Sequence, residues 1–409
     1  MATLNTLPYE TLTQILSGLS NADLAHISCV SSRLCAVAEP LLYKAPCLSE
    51  TTMAGRQRSS LEIFLQTLLL PGRESLATYA KSLRVDRRRG SYRMYEHEVL
   101  DPSVLPRSSQ SHGTELVSLL HLLSSIQVLH IAPANACSDF TRLMEPCDGA
   151  LPSTLQLALR SLRIFRCASF NPMGMRAQTV LTLLRLPCIR SIWTPVNREN
   201  GFIMRAPIHT AAASSITDLR LSGSIPIASL SYLLRDLAAL THFGYDAYVS
   251  DDFDLQAFMA VLEPLRNSLQ HLYLELTTDN EPYVELDDVF IGGSLRTWPV
   301  LRTLSCGLVP LLGKGKQDDS LRLVDVLPPS LRELEVLSDN YWLCREVLLE
   351  ALDLVGKKES VVPNLECLAI VNPFGARSVY QERLAILCES LGVRYKEDCF
   401  CLLMWEGGE

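Results

Sequence analysis

The sequence predicts an α/β chain in which a short N-terminal helical trio leads into a long array of strand–helix repeats. Three observations predict it. Apolar residues at helical spacing recur in three short runs within residues 7–43. From about residue 80 a six-residue phrase, apolar-x-x-apolar-x-apolar, returns nine times. Helix-period segments fill several of the intervals between phrases. If the phrases were instead helix starts, the array would be an α-solenoid, and that is the alternative.

The trio comes first in the chain. Leu12, Ile15, Leu16 and Leu19 fall at i, i+3, i+4 and i+7, one stripe of a helix. Pro8 suits the first helical turn, where its missing N–H costs nothing. Ser20 with Asp23 three residues on forms a capping-box-like start for a second helix carrying Leu24, Ile27 and Val30. A third helix begins near Ser31 and presents Leu34, Val37, Ala38 and Leu41, with a kink or an end expected at Pro40. A core this small contributes only a few kcal/mol and generally needs a staple or a partner. No cysteine pattern supplies the staple. Some apolar surface around Leu7, Pro8, Ile15 and Leu19 is therefore expected to meet another chain.

The ordered series Leu7-Pro8, Glu10, Leu12, Ile15, Leu19, Asp23-Leu24, Val30, Ser31, Arg33, Leu34 and Leu42-Tyr43 resembles an F-box. Leu34-Cys35 stands where many F-boxes have Trp, a form found among fungal-type relatives. The resemblance implies docking on the Skp adaptor of a cullin–RING ubiquitin ligase. It implies adaptor contacts from Leu7, Pro8, Leu12, Ile15, Leu16, Leu19, Leu24 and Val30.

The repeat phrases are IQVLHI (126–131), LRSLRI (159–164), IRSIWT (189–194), ITDLRL (216–221), LTHFGY (240–245), LQHLYL (269–274), LRTLSC (301–306), LRELEV (331–336) and LECLAI (365–370). Their starts lie 24 to 34 residues apart. Turn formers often precede them, as in Pro328-Pro329-Ser330 and Pro363-Asn364. Helix-period runs lie at 114–125, 228–240, 254–266, 345–355 and 378–392. Such a unit cannot bury its apolar face alone, but stacked units can. The spacing and phrase loosely resemble the leucine-rich repeats, whose following Asn or Cys has counterparts at Cys167 and Asn197. The domains expected are an F-box at 1–46, a linker with a first helix at 47–78, and an irregular horseshoe-like solenoid at 79–409. A polar, turn-rich insertion at 87–112 is expected to be mobile.

The leucine-rich resemblance implies a concave face formed by the residues between the buried positions. That face would expose His130, Arg163, Phe165, Trp193, Arg220, Asp246, Tyr273, Glu275, Glu333 and Glu335, more basic early and more acidic late. Arg163, Trp193, Arg220, Tyr273 and Glu275 are the candidate target-binding residues, because aromatic residues and Arg dominate interface hot spots.

Composition narrows the rest. The chain has 409 residues, 48% hydrophobic and 20% charged, a globular balance. Its net charge of −8 argues against a nucleic-acid partner. The 13 cysteines form no regular framework, Met1–Thr6 has no basic n-region, and no Asn-x-Ser/Thr acceptor occurs. Free thiols in the cytoplasm or nucleus are expected. No apolar run approaches a membrane span; LEIFLQTLLL (61–70) is too short and carries Glu62.

Chemistry-bearing motifs are scarce. GKGKQDDS (313–320) lacks P-loop spacing. CFC (399–401) lacks a second pair of zinc ligands. DRRRG (86–90) reads as a solvated run. No catalytic residue, metal ligand or cofactor site is assigned. The reading is a non-catalytic substrate receptor, which holds the Skp adaptor, through it a cullin, and an unidentified protein target. The alternatives are an F-box scaffold acting outside ubiquitin ligation, or an enzyme with an unrecognised site in residues 80–409.

Overall fold

Eight of the nine phrases become β-strands beginning at their third residue, and the pairings among the described strands are parallel. The computed structural model describes residues 4–49, 60–73, 75–86, 112–131, 140, 153–167, 175, 177–196, 215–223, 225–249, 254–278, 295–307, 311–312, 322–337, 344–371 and 379–397. It divides into two units, Met1–Asn197 and Arg198–Glu409.

The first unit opens with the trio: α1 (Tyr9–Leu16), α2 (Asn21–Ser28) and α3 (Ser32–Lys44). Pro8 is the N-cap of α1 rather than a residue of its first turn. The Ser20 hydroxyl oxygen accepts from the Asp23 N–H at 3.2 Å and the hydroxyl donates to the Asp23 carboxylate at 2.6 Å, closing the expected cap. Ser31 caps α3 by accepting from the Leu34 N–H at 3.2 Å. Of the kink or end expected at Pro40, the end does not occur: α3 runs through Pro40 to Lys44. Val37 and Ala38 beneath that turn are fully packed, and that tertiary packing outweighs the lost backbone bond.

The trio is tied into the strands that follow. Residues 47–49 form β1 (Cys47–Ser49), where the sequence reading has linker. β1 pairs with β2 (Ser82–Asp86), and the Pro46 carbonyl accepts from the Arg84 N–H at 3.0 Å. Leu48 is buried there, which favours a strand over a free connection. Between them lie α4 (Ser60–Leu68) and α5 (Leu76–Tyr79). Tyr43 of α3 stacks on Phe64 of α4 with ring centroids 5.5 Å apart, and Glu39 pairs with Arg73.

The unit continues through α6 (His112–Leu122), β3 (Val128–Ile131), α7 (Ser153–Leu159), β4 (Ile164–Cys167), α8 (Ala177–Leu184) and β5 (Ser191–Pro195). Strands β1 to β5 pair in chain order. α4 packs on α6 and α6 on α7.

The second unit repeats the plan. Its elements are β6 (Asp218–Ser222), α9 (Ile227–Leu234), β7 (His242–Val249), α10 (Leu255–Leu262), β8 (His271–Thr278), β9 (Thr303–Gly307), α11 (Leu323–Val326), β10 (Glu333–Leu337), α12 (Cys344–Gly356), α13 (Lys358–Val361), β11 (Cys367–Val371), α14 (Val379–Ser390) and β12 (Arg394–Glu397). Strands β6 to β12 again pair in order. The alternative of an all-helical array is thereby excluded. Apolar residues at alternate positions, mostly leucine, in short runs bounded by turns chose strand.

One backbone device repeats in both units. The carbonyl before most strands accepts two successive N–H groups from the next repeat. The Gln127 oxygen takes Arg163 at 2.8 Å and Ile164 at 3.0 Å. Thr241 takes Gln270 and His271, Gln270 takes Arg302 and Thr303, and Arg332 takes Glu366 and Cys367, all within 2.7–3.0 Å. Each repeat therefore starts one backbone bond from its predecessor, which locks register.

Burial alternates along most strands, and one face is apolar. Leu129, Ile131, Phe165, Cys167 and Ile192 form it in the first unit; Leu219, Leu221, Leu272, Leu274, Leu304, Leu334 and Val336 form it in the second. Burying each such leucine stabilises the fold by about 1.5–3 kcal/mol.

The second phrase departs from its predicted register. β4 begins at Ile164, so the operative phrase is LRIFRC (162–167), not LRSLRI (159–164). Both satisfy the same pattern, because Leu159 and Leu162 are three apart and both are buried. Consequently Phe165, expected on the open face, is wholly buried, and it stacks on Phe140 at 5.1 Å. Cys29, Cys35, Cys47, Cys188, Cys306, Cys367 and Cys388 form no disulfide, but Cys167 is disulfide-bonded, against the expectation of reduced thiols throughout. The expected insertion (87–112, apart from His112), GKGKQDDS (313–320), CFC (399–401) and Asn197 lie outside the described residues.

Candidate protein-interaction surfaces

Two surfaces carry the candidate partner-binding residues: the trio, and the sheet face opposite the apolar core in the second unit.

The trio's interior consists of Leu12, Leu16, Leu24, Leu34, Val37 and Ala38, with Leu7, Ile27, Leu41 and Leu42 packed at its edge. Leu12, Leu16 and Leu24 are 0%, 2% and 4% exposed. Three of the eight residues assigned to the adaptor from sequence therefore face their own helices. The reason is geometric: helices of eight residues must use their central apolar positions on one another. Pro8, Ile15, Leu19 and Val30 are exposed and Leu7 is half-buried. Leu4 and Tyr9, which the sequence reading passed over, are also exposed. The Arg33 guanidinium donates to the Leu7 carbonyl at 2.5 Å, which pins the Leu7-Pro8 corner from α3.

On the open sheet face, register brings named side chains into rows. Arg220, Gly244, Tyr273, Ser305 and Glu335 are successive register partners across β6 to β10. Gly244 decides how this row packs. A Cβ there would lie 2.9 Å from Arg220 Cγ and 3.3 Å from Cδ. Glycine leaves a gap through which Arg220 lies across β7, its guanidinium 4.4 Å from the Tyr273 ring centroid. The Tyr273 hydroxyl donates to the Glu275 carboxylate. Burial and the adjacent Glu275 hold the Tyr273 hydroxyl firmly protonated.

Asp246 pairs in register with Glu275. Burial, reinforced by Glu275 and partly opposed by Arg220, pushes Asp246 up to about 6. One step toward the strand starts, the His242 and His271 rings stack 3.9 Å apart and within 5° of parallel. Burial, then the neighbouring His242 and Arg302, pulls His271 down to about 4. Burial lowers His242 too, with Asp218 opposing.

Of the candidate target-binding residues, Arg220, Tyr273 and Glu275 therefore meet in one cluster. Trp193 stands on the open face of β5, half-buried, in register with Arg166 of β4 and through it His130 of β3. Arg163 is not in that row. It precedes β4, exposed, because the strand starts three residues later than its phrase suggested. Arg166 occupies the place assigned to it. Glu333 is exposed as expected, but Glu335 is only 7% exposed. Sequence reading also missed Gly244, His242 and His271. The signal was present in LTHFGY, where glycine occupies a slot that holds a side chain in the neighbouring repeats.

Among the described residues, no group of three or more His, Cys, Asp or Glu could hold a metal ion, and no helix is long and apolar enough to cross a membrane. Residues 4–49 match the F-box-like family, so the chain carries an F-box-like domain, which points to an adaptor role in SCF-type complexes. No curated protein matches the chain.

Proposed function

We propose that this chain is the substrate-recognition subunit of an SCF-type ubiquitin ligase. Its F-box-like trio holds the Skp adaptor, and through it a cullin, with Leu7, Pro8, Ile15, Leu19 and Val30. Exposed Leu4 and Tyr9 extend that surface. The strand–helix array, a leucine-rich-repeat-like solenoid, holds a protein target on its open sheet face. The subunit makes no bonds itself; it raises the local concentration of target lysines at the conjugating enzyme. Its place of action is the cytoplasm or nucleus.

The observation that carries the reading is the F-box-like match at 4–49 on a trio that keeps five large apolar side chains exposed after filling its core. Leu4, Tyr9, Ile15, Leu19 and Val30 range from 37% to 71% exposed. The half-buried Arg220–Tyr273–Glu275 cluster supports a protein-binding role for the array, since Tyr and Arg are the commonest interface anchors.

Co-expression with a Skp adaptor and mass measurement of the purified complex tests the first half. A one-to-one complex that Leu7→Asp with Pro8→Ala abolishes is the expected result. A wild-type chain that stays soluble and runs without the adaptor overturns the reading.

A further inference from the structure

On β9 and β10 the sheet face opposite the buried leucines carries two buried oxygen atoms with no hydrogen-bond partner, Ser305 Oγ and Glu335 Oε1. The two residues are 4% and 7% exposed. They are direct register partners on parallel strands, so their side chains leave the sheet side by side. An orphaned buried hydroxyl costs free energy, and an orphaned buried carboxylate costs more. Such a pair persists where something else returns a benefit.

The surroundings specify what could satisfy it. Glu333 stands two residues earlier on the same face, exposed at the rim. On the other side, Tyr273 is the register partner of Ser305 and already donates its proton to Glu275. Asp246 lies beside Glu275. Across β7 to β10 this face thus offers four carboxylates. Arg220, at one end, is over Tyr273. Side by side beneath Glu333, the orphaned oxygens of Ser305 and Glu335 call for a donor that is charged, slender and long enough to reach past the rim.

We infer that this face of the second unit receives a lysine or arginine side chain from a segment of the protein target, with Glu335 and Ser305 gripping the cationic head and Glu333 guiding it in. The inference rests on the receptor reading above and names the chemistry of the target at that site. A charge-assisted bond of this kind is about twice as strong as a neutral one, and burial strengthens it further.

The test uses the full chain purified with the adaptor and three fluorescent probe peptides, (Gly-Gly-Lys)3, (Gly-Gly-Arg)3 and (Gly-Gly-Glu)3, read by anisotropy. Binding of a basic probe but not the acidic one is expected. Glu335→Gln, near-isosteric, should weaken it at least tenfold and Ser305→Ala about threefold. Glu359→Gln, which removes one charge from an exposed site on α13, should change it less than twofold. Should Glu335→Gln fail to fold, Ser305→Ala and Glu333→Gln give the same comparison. Equal weakening by Glu335→Gln and Glu359→Gln would mean general attraction to an acidic chain and overturn the site. So would a wild-type complex that holds the adaptor and binds no basic probe, which leaves the receptor reading standing. A chain that never holds the adaptor removes that reading instead, and the probes then test the site on the chain alone.

Discussion

Ile15 and Leu16 are adjacent on α1, yet the structure gives them opposite work. Leu16 is 2% exposed and packs in the trio core; Ile15 is 46% exposed. Leu16→Ala removes a fully buried side chain and leaves a cavity, which costs about 2–5 kcal/mol. For a unit of this size that lowers the Tm by about 5–15 °C. Ile15→Asp acts differently. Folding already covers about half of the side chain, so the loss to the free chain stays below about 1 kcal/mol and the Tm moves by less than about 3 °C. In the complex, covering the other half of Ile15 is worth about 1 kcal/mol, and an aspartate there is a desolvated charge costing several more. Adaptor affinity should fall at least about 100-fold. Far-UV circular dichroism melts of the free chains, beside titration calorimetry with the adaptor, read both quantities. The reasoning fails if Ile15→Asp melts as early as Leu16→Ala. It fails equally if Ile15→Asp binds the adaptor as the wild type does.

Other predictions follow from the array. Phe165→Ala should destabilise the first unit by about 3–5 kcal/mol while Arg163→Ala changes stability by less than about 0.5 kcal/mol, as checked by denaturant titration; the reverse order would restore the earlier register. Gly244→Ala should push Arg220 off the Tyr273 ring, losing about 0.5–2 kcal/mol of cation–π attraction, visible as altered tyrosine fluorescence and as weaker target binding. His271 sits near 4 in the fold against about 6.5 in an unfolded chain, so the unfolded state takes the proton first. Its contribution is therefore full above about 6.5 and is lost as pH falls toward 4, and His271→Gln should flatten the melting temperature across that window. Asp246 shifts the other way, so its contribution is present below about 4 and lost as pH rises through 6. Asp246→Asn should raise the Tm more at pH 7 than at pH 4.

The sequence by itself determined the trio, the strand–helix alternation and most of the strand registers. These are local matters: caps at Ser20 and Ser31, helical spacing in α1, and a buried Leu or Ile two residues before each strand from β3 to β11 act over a few residues. It could not choose between Leu159 and Leu162 as the start of the second phrase, because both fit and both are buried. Only the neighbouring carbonyl of Gln127, accepting from Arg163 and Ile164, selects the second. Nor could it separate Ile15 from Leu16, since a stripe at helical spacing does not say which of its members a second helix covers. The run of α3 through Pro40 and the strand at 47–49 were likewise decided by packing against distant residues. So was the placing of Arg220 over Tyr273, which lie 53 residues apart (273 − 220) and meet only because each strand pairs in register with the next and Gly244 leaves room between them. Contacts within a turn of chain are set by local chemistry; contacts across repeats are set by how the backbones stack.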